Sequence, residues 1–141
     1  MTTTASLAIA IAARAHAGQT DKAGRPYMEH VLAVVAGVET DDEKTVAALH
    51  DVLEDCPDWT PERLIEEGIP AALVSSVLVL TKRPGESYSD FVERVKADPI
   101  ARRVKIADLT HNMDLTRLAA VSDADHARLE KYRRALAALD T

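Results

Sequence analysis

A single cysteine, Cys56, leaves this chain no partner for an intramolecular disulfide and no Cys-rich zinc site, which fits a reducing, cytoplasmic setting. Glycines number 5 and aromatic residues only 4%, while alanine and leucine are abundant. A sandwich or barrel would need more turn glycines and more aromatic and β-branched residues, so helices are favoured. The apolar run Leu7–Ala13 has no basic segment before it and is broken by Arg14 and His16. It reads neither as a signal peptide nor as a membrane span. The formal net charge of −6 argues against nucleic-acid polymers, whose binding rests on phosphate neutralisation by a basic surface. A small anionic ligand stays admissible, because a bound cation and a few local lysines invert the field. The 141 residues make one domain, 1–141, large enough for a core without staples. No feature of the sequence specifies an oligomeric state.

Helix punctuation recurs along the chain. Thr2–Ala17 carries Leu7, Ile9 and Ile11 among alanines and stops at Gly18. Residues 19–26 are turn chemistry, and Tyr27–Gly37 has an apolar stripe of Val31, Val34 and Val35. Thr40 followed by Asp41, Asp42 and Glu43 marks a helix start, and that helix is expected to run unbroken to just before Pro57. Thr60-Pro61 opens a short helix ended by Gly68, and Pro70 opens another with Leu73, Val74, Val77 and Leu80. Ser87–Ala97 is amphipathic, Asp98-Pro99 starts a further helix, and Ala124–Leu139 closes the chain with a charged one. The expected fold class is all-α, a compact single-domain helical bundle.

The stretch His50-Asp51-Val52-Leu53-Glu54-Asp55 stands apart, because four ionisable or metal-seeking residues follow the apolar Ala47-Ala48-Leu49. On one continuous helix His50 and Glu54 stack at i,i+4, as do Asp51 and Asp55, and acids so spaced repel unless a cation or proton is shared. The stretch is a divalent metal site or an exposed acidic helix end. Further candidate ligands are His30, at the start of an apolar stripe, and Asp108, an acid inside the apolar run Val104–Leu109. Asp108 has a simpler reading as a salt-bridge partner of Lys105. Taken together, His30, His50, Asp51 and Asp108 form a two-His, two-carboxylate set suited to Mn²⁺, Fe²⁺ or Zn²⁺.

The order His, then His-Asp, then Asp resembles the HD superfamily of metal-dependent phosphohydrolases. The fuller pattern resembles the (p)ppGpp hydrolase domain of RelA/SpoT homologues and small alarmone hydrolases. It is carried by Ala15–Gln19, Lys22–His30, Ala48–Asp55, Leu80–Lys82 and Val104–Asp108 with Asn112-Met113, within residues 8 to 118. The resemblance implies an HD-type helical domain with one Mn²⁺ held by His30, His50, Asp51 and Asp108. It implies Glu54 and Asp55 as the catalytic pair that positions and deprotonates water, and Lys22, Tyr27, Lys82 and Asn112 as substrate-binding residues. The implied reaction releases 3′-pyrophosphate from an alarmone nucleotide such as (p)ppGpp or (p)ppApp. The alternatives are hydrolysis of another small phosphorylated nucleotide or metabolite, or a non-catalytic, metal-bound nucleotide-binding domain. Asp21 and Asp114 stand where the resembled pattern has arginines, and Val31 stands where it has proline. Acids at those two positions are expected to weaken contact with an anionic nucleotide. His16, His111 and His126 read as surface or packing histidines.

Overall fold

The computed structural model describes residues 3–114 and 121–140, so Thr2 and residues 115–118 of the resembling stretch lie outside the described residues. Nine helices follow one another among them. They are α1 (Thr4–Ala15), α2 (Tyr27–Ala36), α3 (Asp41–Leu49), α4 (Val52–Asp55), α5 (Pro61–Glu66), α6 (Ala71–Val79), α7 (Tyr88–Lys96), α8 (Pro99–Asn112) and α9 (Asp123–Asp140). Their only extended pairing is an isolated bridge between Thr20 and Pro26 in the α1–α2 loop. The all-α bundle expected from composition is what forms, and no described helix is long and apolar enough to cross a membrane.

The starts are set by side chains that accept otherwise unpaired backbone N–H groups. Thr3 caps α1 through Ser6 N, Thr60 caps α5 through Arg63 N, Ser87 caps α7 through Asp90 N, and Asp98 caps α8 through Ile100 N and Ala101 N. At α3 the cap is reciprocal: Thr40 accepts from Glu43 N while the Glu43 carboxylate accepts from the Thr40 N–H. Glu43 is buried, and Arg103 of α8 lies 3.2 Å from its carboxylate. That contact and the backbone N–H groups of Thr40 and Glu39 outweigh burial and hold its carboxyl below the usual range. The α3 start is thereby tied to α8.

Helix α3 is the centre of the bundle. Thr45, Val46, Ala47, Ala48 and Leu49 are all fully buried, and the helix packs against α1, α2, α6 and α8. A helix apolar on every side belongs in a core. Whatever follows Leu49 therefore emerges from the middle of the protein.

The expected unbroken helix from Asp42 to Pro57 does not form. His50 N bonds Ala47 O at 3.4 Å, an i−3 contact, and Asp51 leaves the helix at φ −108, ψ −2 before α4 begins. Consecutive residues on a regular helix point about 100° apart and cannot meet at one ligand. Tightening the last turn and breaking the helix lets His50 and Asp51 converge.

The spacing of α2 and α8 is set by Gly37, where a Cβ would lie 3.0 Å from Ala107 Cβ. His30 rides on α2 and Asp108 on α8 beside this contact, and a methyl wedged there has no side-chain torsion through which Ala107 could yield. Gly37→Ala should lower stability by about 1–3 kcal/mol and weaken metal binding, read by thermal unfolding and metal titration. Unchanged values for both would show that the contact does not set the spacing.

Candidate metal and active site

Four of the residues singled out in the sequence meet at the C-terminal end of α3. The ligand atoms of His30, His50 and Asp51 lie within 4.8 Å of one another. Asp108 Oδ1 joins them at 2.9 Å from His30 Nε2 and 3.4 Å from His50 Nε2. His30, His50 and Asp108 are buried and Asp51 is half-buried. Asp108 also meets Lys105, its Oδ2 lying 2.9 Å from the ammonium, so the salt bridge and the ligand cluster coexist.

The donors are oriented from behind. His50 Nδ1–H donates to Ala47 O at 2.6 Å, which leaves Nε2 as the lone-pair nitrogen facing Asp51 and Asp108. That Nε2 is buried and makes no directed hydrogen bond among the described residues. The other ring nitrogen of His30 lies 2.7 Å from His111 Nδ1, so one of the two carries the shared proton. Tyr27 donates its hydroxyl to Asp51 Oδ2, and Asn112 Nδ2 donates to Asp108 Oδ1 at 3.0 Å. Histidines anchored through the far nitrogen, with hydrogen-bonded carboxylates, are the usual support of metal ligands. An imidazole nitrogen that makes no directed hydrogen bond and faces one buried and one half-buried carboxylate fits a divalent cation.

Electrostatics agree. Burial opposes a charge on His50, yet Asp51 and Asp108 outweigh it and hold the imidazole well above its ordinary pKa of 6.5. Burial likewise works against the Asp108 carboxylate, and Lys105, His30 and His50 more than reverse this. The cluster thus holds a proton where a cation would sit.

Glu54 and Asp55 reach solvent, but burial of their inner atoms and the neighbouring Asp51 push both carboxyls up; Asp55 adds to the effect on Glu54. Lys105 and Lys82 partly oppose the rise at Glu54, and His16 and His50 oppose it at Asp55. The two acids are neighbours on α4, where consecutive side chains point about 100° apart, so they face different surroundings. Glu54 lines a cavity of about 400 Å³ with His50, Asp51, Asp108, Lys82 and Lys105. Asp55 lines another of about 320 Å³ with Arg14, Gln19 and Arg63.

Of the residues expected to touch substrate, only Lys82 lines the cavity shared with the ligand cluster. Tyr27 donates to Asp51, Asn112 donates to Asp108, and Lys22 pairs with Asp125 of α9. Asp21 accepts from Ala23 N at 2.9 Å and Arg25 N at 3.0 Å, closing the loop in which Gly24 adopts φ +78. His111, read as a surface or packing residue, instead supports His30. His16 is a buried packing residue: its Nδ1 lies 2.8 Å from Gln19 Oε1 and its ring 4.8 Å from that of Tyr27. Tyr88 of α7 and Lys131 of α9 complete the wall of the larger cavity, and neither stood out in the sequence. Lys131 sits in a helix charged on several sides with no motif around it.

The fold is all-helical, as the resemblance to HD-type domains implies. In an alignment of 117 positions that covers 73% of its length, the chain is 37% identical to a guanosine-3′,5′-bis(diphosphate) 3′-pyrophosphohydrolase of Haemophilus influenzae. It is 35% identical over 117 residues to the bifunctional (p)ppGpp synthase/hydrolase SpoT of Escherichia coli, and 37% identical over 117 to a pyrophosphohydrolase of the same name from Vibrio cholerae. The chain spans only 16–17% of the length of these curated relatives. It is homologous to one segment of them, in line with the resemblance to RelA/SpoT hydrolase domains. No protein-family model matches the chain.

Because His50 gains proton affinity on folding, its protonation stabilises the metal-free fold fully below about pH 6.5, and that contribution fades as pH rises through the raised value. A cation needs the imidazole unprotonated, so its stabilising increment should grow as pH rises. Thermal unfolding with and without Mn²⁺ between about pH 5.5 and 8.5 should show the increment widening. A constant increment would remove His50 from the ligand set. His50→Ala should abolish the Mn²⁺-dependent shift.

Proposed function

We propose that this chain is a metal-dependent phosphohydrolase that removes 3′-pyrophosphate from an alarmone nucleotide such as (p)ppGpp or (p)ppApp, using Mn²⁺ held by His30, His50, Asp51 and Asp108. The observation that carries the reading is the cavity in which His50, Asp51 and Asp108, with His30 behind them on Asp108, meet a solvent-reached carboxylate, Glu54, and the cations Lys82 and Lys105. The names of the relatives support the choice of substrate.

A divalent cation in the site supplies Lewis acidity toward water and toward a phosphoryl oxygen. Glu54, its carboxyl pushed up by burial and by Asp51 and Asp55, takes the proton of the attacking water. Asp55 follows it on α4 and keeps that carboxyl raised. Water oxygen bonds to phosphorus, the P–O3′ bond breaks, and the proton passes to the leaving 3′ oxygen. Pyrophosphate and the nucleoside 5′-diphosphate or 5′-triphosphate result. Lys82 and Lys105 offset charge on the phosphoryl oxygens. Lys105 carries its charge firmly, since Asp108 overcomes the burial that works against it. Tyr27 and Asn112 act as positioning residues by fixing the lone pairs of Asp51 and Asp108.

A second reading, a different small phosphorylated substrate, is favoured by Asp21. Its carboxylate is committed to the backbone of the α1–α2 loop, so this loop presents an acid where the resembled pattern has an arginine. Asp21→Asn keeps the acceptor and removes the charge. A lower KM for (p)ppGpp in that variant would place the nucleotide against this loop, and an unchanged KM would place it elsewhere.

The deciding experiment is a Mn²⁺-dependent activity screen over (p)ppGpp, (p)ppApp, nucleoside mono- to triphosphates and NADPH, with products identified by mass. Glu54→Gln should lower kcat by about 10²–10⁴-fold with Mn²⁺ still bound, and Asp55→Asn should lower it less. Loss of metal in Glu54→Gln would make Glu54 a ligand instead.

A further inference from the structure

The reaction just described uses part of the wall of the large cavity. Tyr88 and Lys131 also line it, and they line a neighbouring groove of about 340 Å³ between α7 and α9 as well. The two residues stand where the cavity passes into the groove. Lys131 Nζ lies 4.0 Å from the centre of the Tyr88 ring, a cation–π contact that steadies the ammonium without neutralising it. Among the described residues neither Lys131 nor Lys82 forms an ion pair, whereas Lys105 is matched by Asp108. The cavity wall therefore carries the acids Asp51, Glu54 and Asp108 together with two lysines, Lys82 and Lys131, that form no ion pair among the described residues.

A second observation concerns the Tyr88 hydroxyl. It is buried and has no hydrogen-bond partner among the described residues, yet it lies within electrostatic reach of Lys105 and Asp108. Buried donors of this kind are rare, because losing water without gaining a partner is costly. Burial also pushes the phenol up, so it stays a donor at neutral pH. An anionic oxygen placed between Tyr88 and Lys131 would satisfy both.

We propose that Tyr88 and Lys131 form a subsite for a second phosphoryl group, so that they select substrates carrying a pyrophosphate over those carrying a single phosphate. The inference rests on the phosphohydrolase reading for its first phosphoryl group, held at the ligand cluster. Tyr88 donates to a terminal oxygen of the distal phosphoryl group, and Lys131 supplies the balancing charge. Monophosphates reach only the ligand cluster and leave the Tyr88 donor unpaired.

The test uses inorganic pyrophosphate and inorganic phosphate, titrated calorimetrically into the Mn²⁺-loaded chain, with Lys131→Gln and Tyr88→Phe beside the wild type. Pyrophosphate should bind the wild type more tightly, and each variant should lose about tenfold in pyrophosphate affinity with a much smaller loss for phosphate. Tyr88→Phe without anion should unfold at the wild-type temperature or above, because it removes an unpaired donor; a marked fall would assign the hydroxyl a structural role and overturn the proposal. Equal wild-type affinity for the two anions, no pyrophosphate binding at all, or unchanged affinity in both variants would also overturn it. If the wild type hydrolyses no nucleotide but discriminates between the anions through these side chains, the proposed reaction fails and the subsite stands. If it hydrolyses (p)ppGpp while both variants bind pyrophosphate as the wild type does, the subsite fails and the reaction stands.

Discussion

The Asp108 carboxylate is the point on which the site hangs. One oxygen faces His30 at 2.9 Å, His50 at 3.4 Å and the Asn112 amide at 3.0 Å, and the other faces the Lys105 ammonium at 2.9 Å. A buried carboxylate is tolerated only when paired and hydrogen-bonded, and here its partners come from α2, from the end of α3 and from α8 itself. Those three elements must hold their relative positions for the charge to remain compensated. The Gly37–Ala107 contact and the Glu43–Arg103 pair are physical restraints on that arrangement.

The helix break at His50-Asp51 follows the same logic. A regular continuation of α3 would have sent these two side chains in different directions. Ending the helix inside the core costs backbone hydrogen bonds, which the Ala47 carbonyl partly recovers by accepting from His50 Nδ1. One backbone carbonyl thus both caps the break and sets the imidazole tautomer. On α4, beyond the break, Glu54 faces the ligand cavity and Asp55 the neighbouring one, because consecutive helical residues point in different directions.

Most helices were legible in the chain because their starts carry local chemistry: Thr40 with Glu43, Thr60 with Pro61, and Asp98 with Pro99 each satisfy backbone groups within a few residues. Such signals need no tertiary context. The members of the His/Asp cluster were legible for a different reason. His30 and Asp108 are charged or polar residues inside apolar stripes, and that mismatch is visible wherever the fold buries them. The helix break was not legible, since nothing in Leu49-His50-Asp51-Val52 disfavours a helix on its own.

By itself, then, the sequence determined an all-helical chain, the positions of most helix starts and the donors able to bind a cation, because propensity, capping and buried polarity are local properties. Tertiary structure decided how those donors are used. Tyr27 and Asn112 turn toward ligand carboxylates, Lys22 toward Asp125, and Tyr88 and Lys131 toward the cavity. Each role depends on helices distant in sequence meeting in space. Lys131 shows why: on α9 it is one charge among many, and only packing beside α7 sets it over the Tyr88 ring on the cavity wall.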